Sequence, residues 1–311
     1  MNPHEIEAFV AAVETGSIVG AAARLHLTQP AITRRIQNLE SAIGAQLLDR
    51  RSKPLRPTPT GRQAYELGRR VLGAVADMAA VMQTGESLKG EFRVGVSPLL
   101  SEVALLEPVE RVRSSFPSLA IRVSTAWSLE LLGMVEASRI DAAAVCLPTG
   151  QGPPAELDQH LLGTETVVVI AARRSAFPAR VHLRDLGGTP WILSPDGCAF
   201  RRLVRQAFEA SRLPFEVAGE ALGSDLQLSL VARGVGLGLV SRRRLSLSPL
   251  SRQLRVLEVD DFRPEMKSWL VHRPNPGRLG PVMERFRSSL AEGLGQRAPR
   301  TGSKRARSRA G

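Results

Sequence analysis

Cysteine is nearly missing from this chain: Cys146 and Cys198 are the only two in 311 residues, far apart and without metal-ligand spacing. A disulfide framework is excluded. One bridge between the two stays open, although two ordinary buried thiols suit the cytoplasmic protein this chain resembles in other respects. Five scattered histidines form no metal constellation. No apolar run approaches the roughly 18 residues of a membrane span, so no membrane partner is expected. The opening MNPHEIEAFV lacks the basic stretch and apolar core of an export signal. Lysine occurs only at Lys53, Lys89, Lys267 and Lys304. Arginine must therefore make nearly all basic contacts, which suits bidentate recognition of bases and phosphates. Catalytic patterns are missing too: there is no Ser/His/Asp set, no carboxylate pair at helix spacing and no P-loop. GVGLGL at 234–239 lacks the dinucleotide spacing and leads into a strand, so it reads as a helix-ending turn before a buried strand. Neither an enzyme nor a cofactor is expected.

What is present is a globular composition, 43% apolar and 23% charged, with length for two or three domains. The net charge of +12 is concentrated. Between Arg24 and Arg62 stand eight Lys/Arg against Glu40 and Asp49, an excess of six. From Arg297 onward six Lys/Arg meet no acid, and these two stretches account for the whole excess. Such confinement suggests a polyanion partner there and an ordinary surface elsewhere. For the tail, a merely solvated segment is an equal alternative.

The first basic stretch is ordered by a motif. Pro3 to Glu14 reads as a helix with Ile6, Phe9, Val10 and Val13 on one face. Gly16 ends it, and Ser17 caps a short second helix through Ala21, Ala22 and Leu25. Ala21, Ala22 and Ala23 keep that helix slim for a close crossing. After the turn at His26 and Leu27, Thr28 is an N-cap and Gln29 and Pro30 form a first turn, where proline's missing N–H costs nothing. Leu27 and Ile32 have the spacing of a hydrophobic staple. Ile32, Ile36, Leu39 and Ile43 face the small core. Pro30, Thr33, Arg34 and Gln37 fall opposite, with Gln29 at the exposed end. This acid-free stripe carries the amide and guanidinium groups that pair with base edges in a major groove. A solvated helix face is the bland alternative, less favoured because helix pair, turn and stripe coincide. LLDRRSKPLRPTPTG then brackets Pro54 with Arg50, Arg51, Lys53 and Arg56, a short hairpin or extended arm too basic and proline-rich for a central strand and suited to phosphates.

Phe9, TGSIVGAAARLHLTQPAITRRIQNLESAIGAQLLDR and PTPTG together resemble the winged helix-turn-helix and linker helix of LysR-type transcriptional regulators, over residues 1 to about 88. The family usually carries Phe at Ile18, Ser at Thr28 and Thr33, and Phe at Leu48, all mild departures. The resemblance implies that Gln29, Pro30, Thr33, Arg34 and Gln37, beginning at Thr28, face duplex DNA, and that Arg51, Lys53 and Arg56 meet its backbone. From Thr60, read as an N-cap, a long helix runs to about Ser87, with Ala64, Leu67, Val71, Val75, Met78 and Met82 along one narrow seam. A seam with nothing of its own to cover it favours pairing with a second copy over packing on its own downstream domain. The expected division is a DNA-binding domain at 1–60, a linker helix at 61–88, an effector domain at 89–294, and a basic, disordered tail at 295–311.

Beyond residue 89, apolar strands alternate with helical stretches: 91–96, 120–126, 140–146, 165–171, 190–193, 214–219, 235–240, 254–259 and 267–272. Alternation argues for largely parallel sheets covered by helices. The resemblance, reaching about Leu294, implies an α/β effector domain of periplasmic-binding-protein type. Its two Rossmann-like subdomains would span about 89–162 with 267–294, and about 163–266. Ligands of open α/β sheets lie beyond the carboxyl ends of strands. Four helix starts follow strands: Ser97 and Pro98, Trp127 and Ser128, SPDGCAF with Pro195 and Cys198, and Gly223 and Ser224. Each offers a hydroxyl or free backbone N–H groups at the positive end of a helix, and together they suit a small anion such as a carboxylate. A single serine here is more often only a cap; Ser97 and Trp127 match the family's pocket positions. Trp127 could stack on an aromatic or sugar ring, or belong to the core. Cys146 and Cys198 fall near these loops, which leaves a redox sensor as a minor alternative.

The sequence thus reads as a regulator that binds promoter DNA as a homodimer or, by the resemblance, a homotetramer. It would alter the work of RNA polymerase when a small metabolite enters the cleft. A solute-binding protein is disfavoured by the missing export signal and the basic head, and an oxidoreductase by the missing cofactor fingerprint.

Overall fold

The computed structural model describes residues 1–79 and 88–295. Helix α1 (Pro3–Thr15) begins with a reciprocal cap: the Asn2 side chain accepts the Glu5 N–H at 3.1 Å, and the Glu5 carboxylate accepts the Asn2 N–H at 2.9 Å. Gly16 ends it at φ +66°. Ser17 starts α2 (Ile18–Leu25) by accepting the Gly20 N–H at 2.9 Å. Thr28 starts α3 (Gln29–Ile43) by accepting the Ala31 N–H at 3.4 Å. Phe9, Ala21, Ile32, Ile36 and Leu39 close a core at 2% exposure or less. Leu27 packs on the same core, as a staple requires.

Two core expectations fail here. Ile43 is 40% exposed, because α3's last turn projects past the helices that cover Ile36 and Leu39. Ala23 is exposed as well; the close crossing uses Ala21 and Ala22 alone, since Ala23 lies a further 100° around the helix.

Strands β1 (Leu48–Asp49) and β2 (Arg56–Pro57) pair antiparallel as the hairpin. The long helix α4 (Pro59–Ala79) is capped by Thr58 rather than Thr60: the Thr58 hydroxyl accepts the Gly61 N–H at 2.9 Å and donates to the Gln46 carbonyl at 2.8 Å. With Pro59 at the first helical position, Thr60 already lies inside the first turn. Tyr65 and Leu72 pack on the head, while Leu67, Val71, Val75 and Met78 stand 58, 43, 37 and 74% exposed along another face. Met82 and the expected helix end at Ser87 lie outside the described residues.

The remainder is α/β. Strand β3 (Gly90–Val96) pairs in parallel with β4 (Leu119–Thr125) and β5 (Ala142–Pro148). Helices α5 (Pro98–Ala104), α6 (Leu106–Ser115) and α7 (Ser128–Glu136) connect them. Strand β6 (Asp158–Ala172) is 15 residues long, twice the length read from the sequence. The expectation caught only its apolar second half, because DQHLLGTE before it is largely polar. β6 leads to β7 (Arg180–Val181), which the sequence did not suggest, and then to β8 (Pro190–Leu193), α8 (Ala199–Ala210) and β9 (Glu216–Glu220). Next come α9 (Ser224–Ala232), β10 (Gly238–Ser241), α10 (Arg242–Leu247), β11 (Leu254–Val259), β12 (Glu265–His272) and α11 (Gly280–Gly293).

The sheets are mixed, not largely parallel. β12 runs antiparallel to β5 and β6, and β10 and β11 run antiparallel to β6, while β8 pairs in parallel with β9. The reason lies in β6, which pairs with β12 through its first half and with β10 and β11 through its second. A chain that crosses in one strand and returns in another needs no helical crossover between them.

Helix α7 also meets α4. The Glu136 carbonyl accepts Arg70 Nη2 at 2.6 Å, and Ser138 Oγ accepts Arg70 Nε at 3.3 Å. The Arg139 carbonyl accepts Arg69 Nη1 at 3.3 Å, and Arg139 pairs with Glu66 at 3.3 Å.

Candidate functional site

The structure puts Gln29, Pro30, Arg34 and Gln37 on the exposed face of α3, with Thr33 half-buried among them and Thr28 exposed at its start. Two arginines of this region are tied to acids. Arg24 pairs with Glu14, and Arg50 with Glu40 at 3.0 Å. The second pairing belongs to a small joint: Glu40 Oε1 also accepts the N–H groups of Leu47 (2.8 Å) and Leu48 (3.3 Å), fixing the hairpin to α3. The hairpin is held from the other side as well, where Leu55 N–H donates to the Gly16 carbonyl at 2.8 Å. A Cβ on Gly16 would stand 3.1 Å from Pro54 Cβ, so turn and hairpin touch there. By contrast Arg34, Arg51, Lys53 and Arg56 make no ion pair among the described residues, and all four are exposed. Asp49, the acid nearest them in sequence, is held below the usual carboxylate range by the Ser52 hydroxyl at 2.6 Å and the Arg51 N–H at 3.0 Å. A rigid frame thus carries a set of cations that the fold itself does not use.

The four helix starts of the α/β region converge on one cavity of about 560 Å³. Ser97, Pro98, Trp127, Ser128, Cys146, Cys198 and Ser224 all line it. Pro195 does not: the loop before α8 turns Ser194 and Gly197 toward the cavity and Pro195 away. The walls are mostly apolar, with Leu99, Leu129, Phe200, Leu222 and Met266 among them, as befits a site for an organic molecule. Gly197, at φ +98°, lies so close to Trp127 that a Cβ would meet indole Cδ1 at 2.6 Å. That contact fixes the ring at the cavity wall.

The predicted polar groups are not equivalent. Ser128 Oγ donates to the Cys146 carbonyl (2.8 Å) and accepts the Cys146 N–H (3.1 Å), so its hydroxyl fastens α7 to β5. Ser97 is 3% exposed, and its Oγ has only the Cys146 thiol, a weak partner, beside it among the described residues. A buried hydroxyl without a strong partner is costly unless a ligand or water completes it. Cys146 is buried, and burial pushes its thiol up to about 11, with the Ser268 hydroxyl at 3.3 Å opposing. It stays a neutral thiol at physiological pH, a poor nucleophile. Cys198 is half-buried, and both cysteines are free.

Sequence reasoning missed four charged lining residues: Glu102, Glu130, Arg202 and Arg244. Arg202 lies one turn after Cys198, so helical spacing would have found it. Its guanidinium is half-buried and unpaired among the described residues. Arg244 and Glu102 belong to separate elements, α10 and α5, and have no local signal. They meet at the start of α9, where Glu102 accepts from the Ser224 N–H (3.1 Å), Ser224 Oγ (2.6 Å) and Arg244 Nε (3.3 Å), while Arg244 Nε makes its shorter bond to Ser224 Oγ (2.6 Å). Ser224, read as a ligand contact, is therefore already engaged.

GVGLGL behaves as expected: Gly234 turns at φ +81° and the run enters buried β10. The surface elsewhere is not uniformly ordinary: one groove is lined by Arg173, Arg174, Arg233 and Arg252 with no acid, and another by Arg173, Arg242 and Arg255 with none. Among the described residues there is no cluster of three metal-ligating side chains, and no helix is long and apolar enough to cross a membrane.

Residues 3–62 match the family described as "Bacterial regulatory helix-turn-helix protein, lysR family", and residues 85–295 match "LysR substrate binding domain". The HTH-type transcriptional regulator BenM of Acinetobacter baylyi is 30% identical over 274 residues, covering 85% of this chain and 88% of its own. Among solved structures, full-length OxyR from Pseudomonas aeruginosa superposes with a TM-score of 0.76 at 18% identity, covering 94% and 98% of the two chains. CbnR, a LysR family regulator solved with its target DNA, gives 0.60 at 20% identity over 94% and 100%.

Proposed function

The chain belongs to the LysR family of DNA-binding transcriptional regulators, and we propose from that premise how its parts divide the work. Helix α3 lies in the major groove, where Gln29, Arg34 and Gln37 read base edges and Pro30 and Thr33 line the contact. Arg51, Lys53 and Arg56 of the hairpin set register on phosphates. The carrying observation is the division of cations: those that build the head are paired, and those on its outer face have no acid to meet. The uncovered seam of Leu67, Val71, Val75 and Met78 joins two copies, so that two heads address two half-sites, and a tetramer requires the C-terminal domains to associate as well. Residues 1–60, 61–88 and 89–294 act as head, linker and effector domain, and RNA polymerase is the partner that reads the outcome.

The effector is a small anion with an apolar body. Arg202 supplies its counter-charge, the Ser97 hydroxyl a hydrogen bond, and Trp127 with the leucines a surface for the body. Such a ligand acts only by preferring one arrangement of the oligomer, since equal affinity for two states shifts nothing. Selection of sheared genomic DNA by the purified chain at moderate salt tests the reading. Discrete fragments should be enriched and footprinted; no preference over scrambled duplex, with or without metabolites, refutes it.

A further inference from the structure

The cavity contains two sets of anion-binding groups, and they stand in different states. One set is open: the Arg202 guanidinium has no ion pair among the described residues, and the buried Ser97 hydroxyl has only the weakly bonding Cys146 thiol beside it. The other set is closed. At the start of α9 a backbone N–H, a hydroxyl and a guanidinium converge on a carboxylate, the donors that a free carboxylate ion would require. The carboxylate they hold is the protein's own. Glu102 reaches it from α5, which starts at Ser97 on the other side of the cavity. Arg244 is deeply set, its side chain 11% exposed, and also pairs with Asp225, while Glu102 is 27% exposed. Glu102 is thus the more accessible member of the closed set, and it can leave for solvent without burying a charge.

We propose that Ser224, Arg244 and the α9 N-terminus form a carboxylate site that Glu102 fills in the unliganded chain, and that a carboxylate-bearing effector exchanges with Glu102 there. This rests on the reading of the cavity as the effector site. Exchange conserves charge at Arg244: one carboxylate enters as another leaves, so no buried cation is stranded at any point. Its consequence is mechanical, because Glu102 ties α5 to α9 and α10, and its displacement removes that tie. A neutral ligand of the same shape has nothing to offer Arg244 and leaves the fastening shut.

The test uses the full-length chain and acetate as probe, against chloride at equal ionic strength. Glu102→Ala empties a carboxylate-sized space. It should melt below wild type, and acetate should restore the loss saturably in the millimolar range, beyond any smaller gain that wild type takes from acetate at Arg202. Glu102→Gln keeps the space filled and should gain no more from acetate than wild type. Adding Ser224→Ala to Glu102→Ala should abolish the restoration. An acetate effect equal in all four proteins, or none in Glu102→Ala, overturns the carboxylate site. The effector reading fails on a separate measurement: if the response of wild type to small acids survives Arg202→Ala unchanged, that reading falls, and the exchange falls with it even where acetate restores Glu102→Ala.

Discussion

Arg50 and Arg51 are neighbours in sequence with opposite duties, and salt can tell them apart. Arg51 is exposed and unpaired on the hairpin, whereas Arg50 is drawn back onto Glu40. Each phosphate neutralised by a cation adds about 0.9 to the slope of log affinity against log salt, and a dimer doubles this to about 1.8. Raising salt from about 50 to about 200 mM is a fourfold change, so removing Arg51 from both heads should spare the variant about a tenfold share of the wild type's loss in affinity. Arg51→Ala should show this flattening equally on an operator duplex and on a shuffled one, since phosphates carry no sequence information. Arg50→Ala should leave the slope alone and cost about 0.2–1 kcal/mol of stability, the worth of a partly exposed ion pair. Fluorescence anisotropy over a salt series, with a melting curve for each variant, measures both. If the two variants flatten the slope alike, the division of the arginines by their ion pairs is wrong.

Gln29→Ala should cost about 1–3 kcal/mol on the specific site and relax the preference at one base pair, with little loss on random DNA; equal losses on both show that Gln29 does not read sequence. Leu67→Glu combined with Val71→Glu should turn the sedimenting species into monomers, and an unchanged oligomer removes α4 as the seam. His160 Nε2 lies 3.2 Å from His272 Nε2, and burial, then the charge of His272, hold the His160 pKa below its ordinary value. The folded state therefore binds fewer protons there than the unfolded chain, so stability is lost as pH falls below about 6.5. Asp158, Glu284 and Arg287 also act on His160 and set the background. His160→Gln should flatten the dependence of the denaturation midpoint below about pH 6.5, and an unaltered profile rejects the pair as its source.

The head was legible because its signals are local. Gly16, Ser17 and Thr28 punctuate three short helices, and Ile32, Ile36 and Leu39 repeat at the spacing that buries them. Where local logic misled, a neighbour in space decided: Thr60 has the right chemistry for a cap, but Pro59 moves the helix start so that Thr58 takes the role. The α/β region was legible as alternation but not as topology, because the direction of β12 depends on which strands it meets. The cavity shows the same boundary. Helix starts named part of its wall, whereas the Glu102–Ser224–Arg244 contact joins residues up to 142 positions apart, and no spacing encodes it.

Helix α7 is short, about 13 Å at 1.5 Å per residue, and both of its ends are occupied. Trp127 at one end belongs to the cavity wall, and Glu136 with the two residues beyond Ala137 grips Arg69, Arg70 and Glu66 of the long helix. Nothing so brief and so firmly hydrogen-bonded can absorb a push by bending. If the cavity takes the effector as proposed, a ligand that tilts the indole should tug on α4, and Arg70→Ala should leave a protein that still holds its ligand and its DNA while each goes unnoticed by the other.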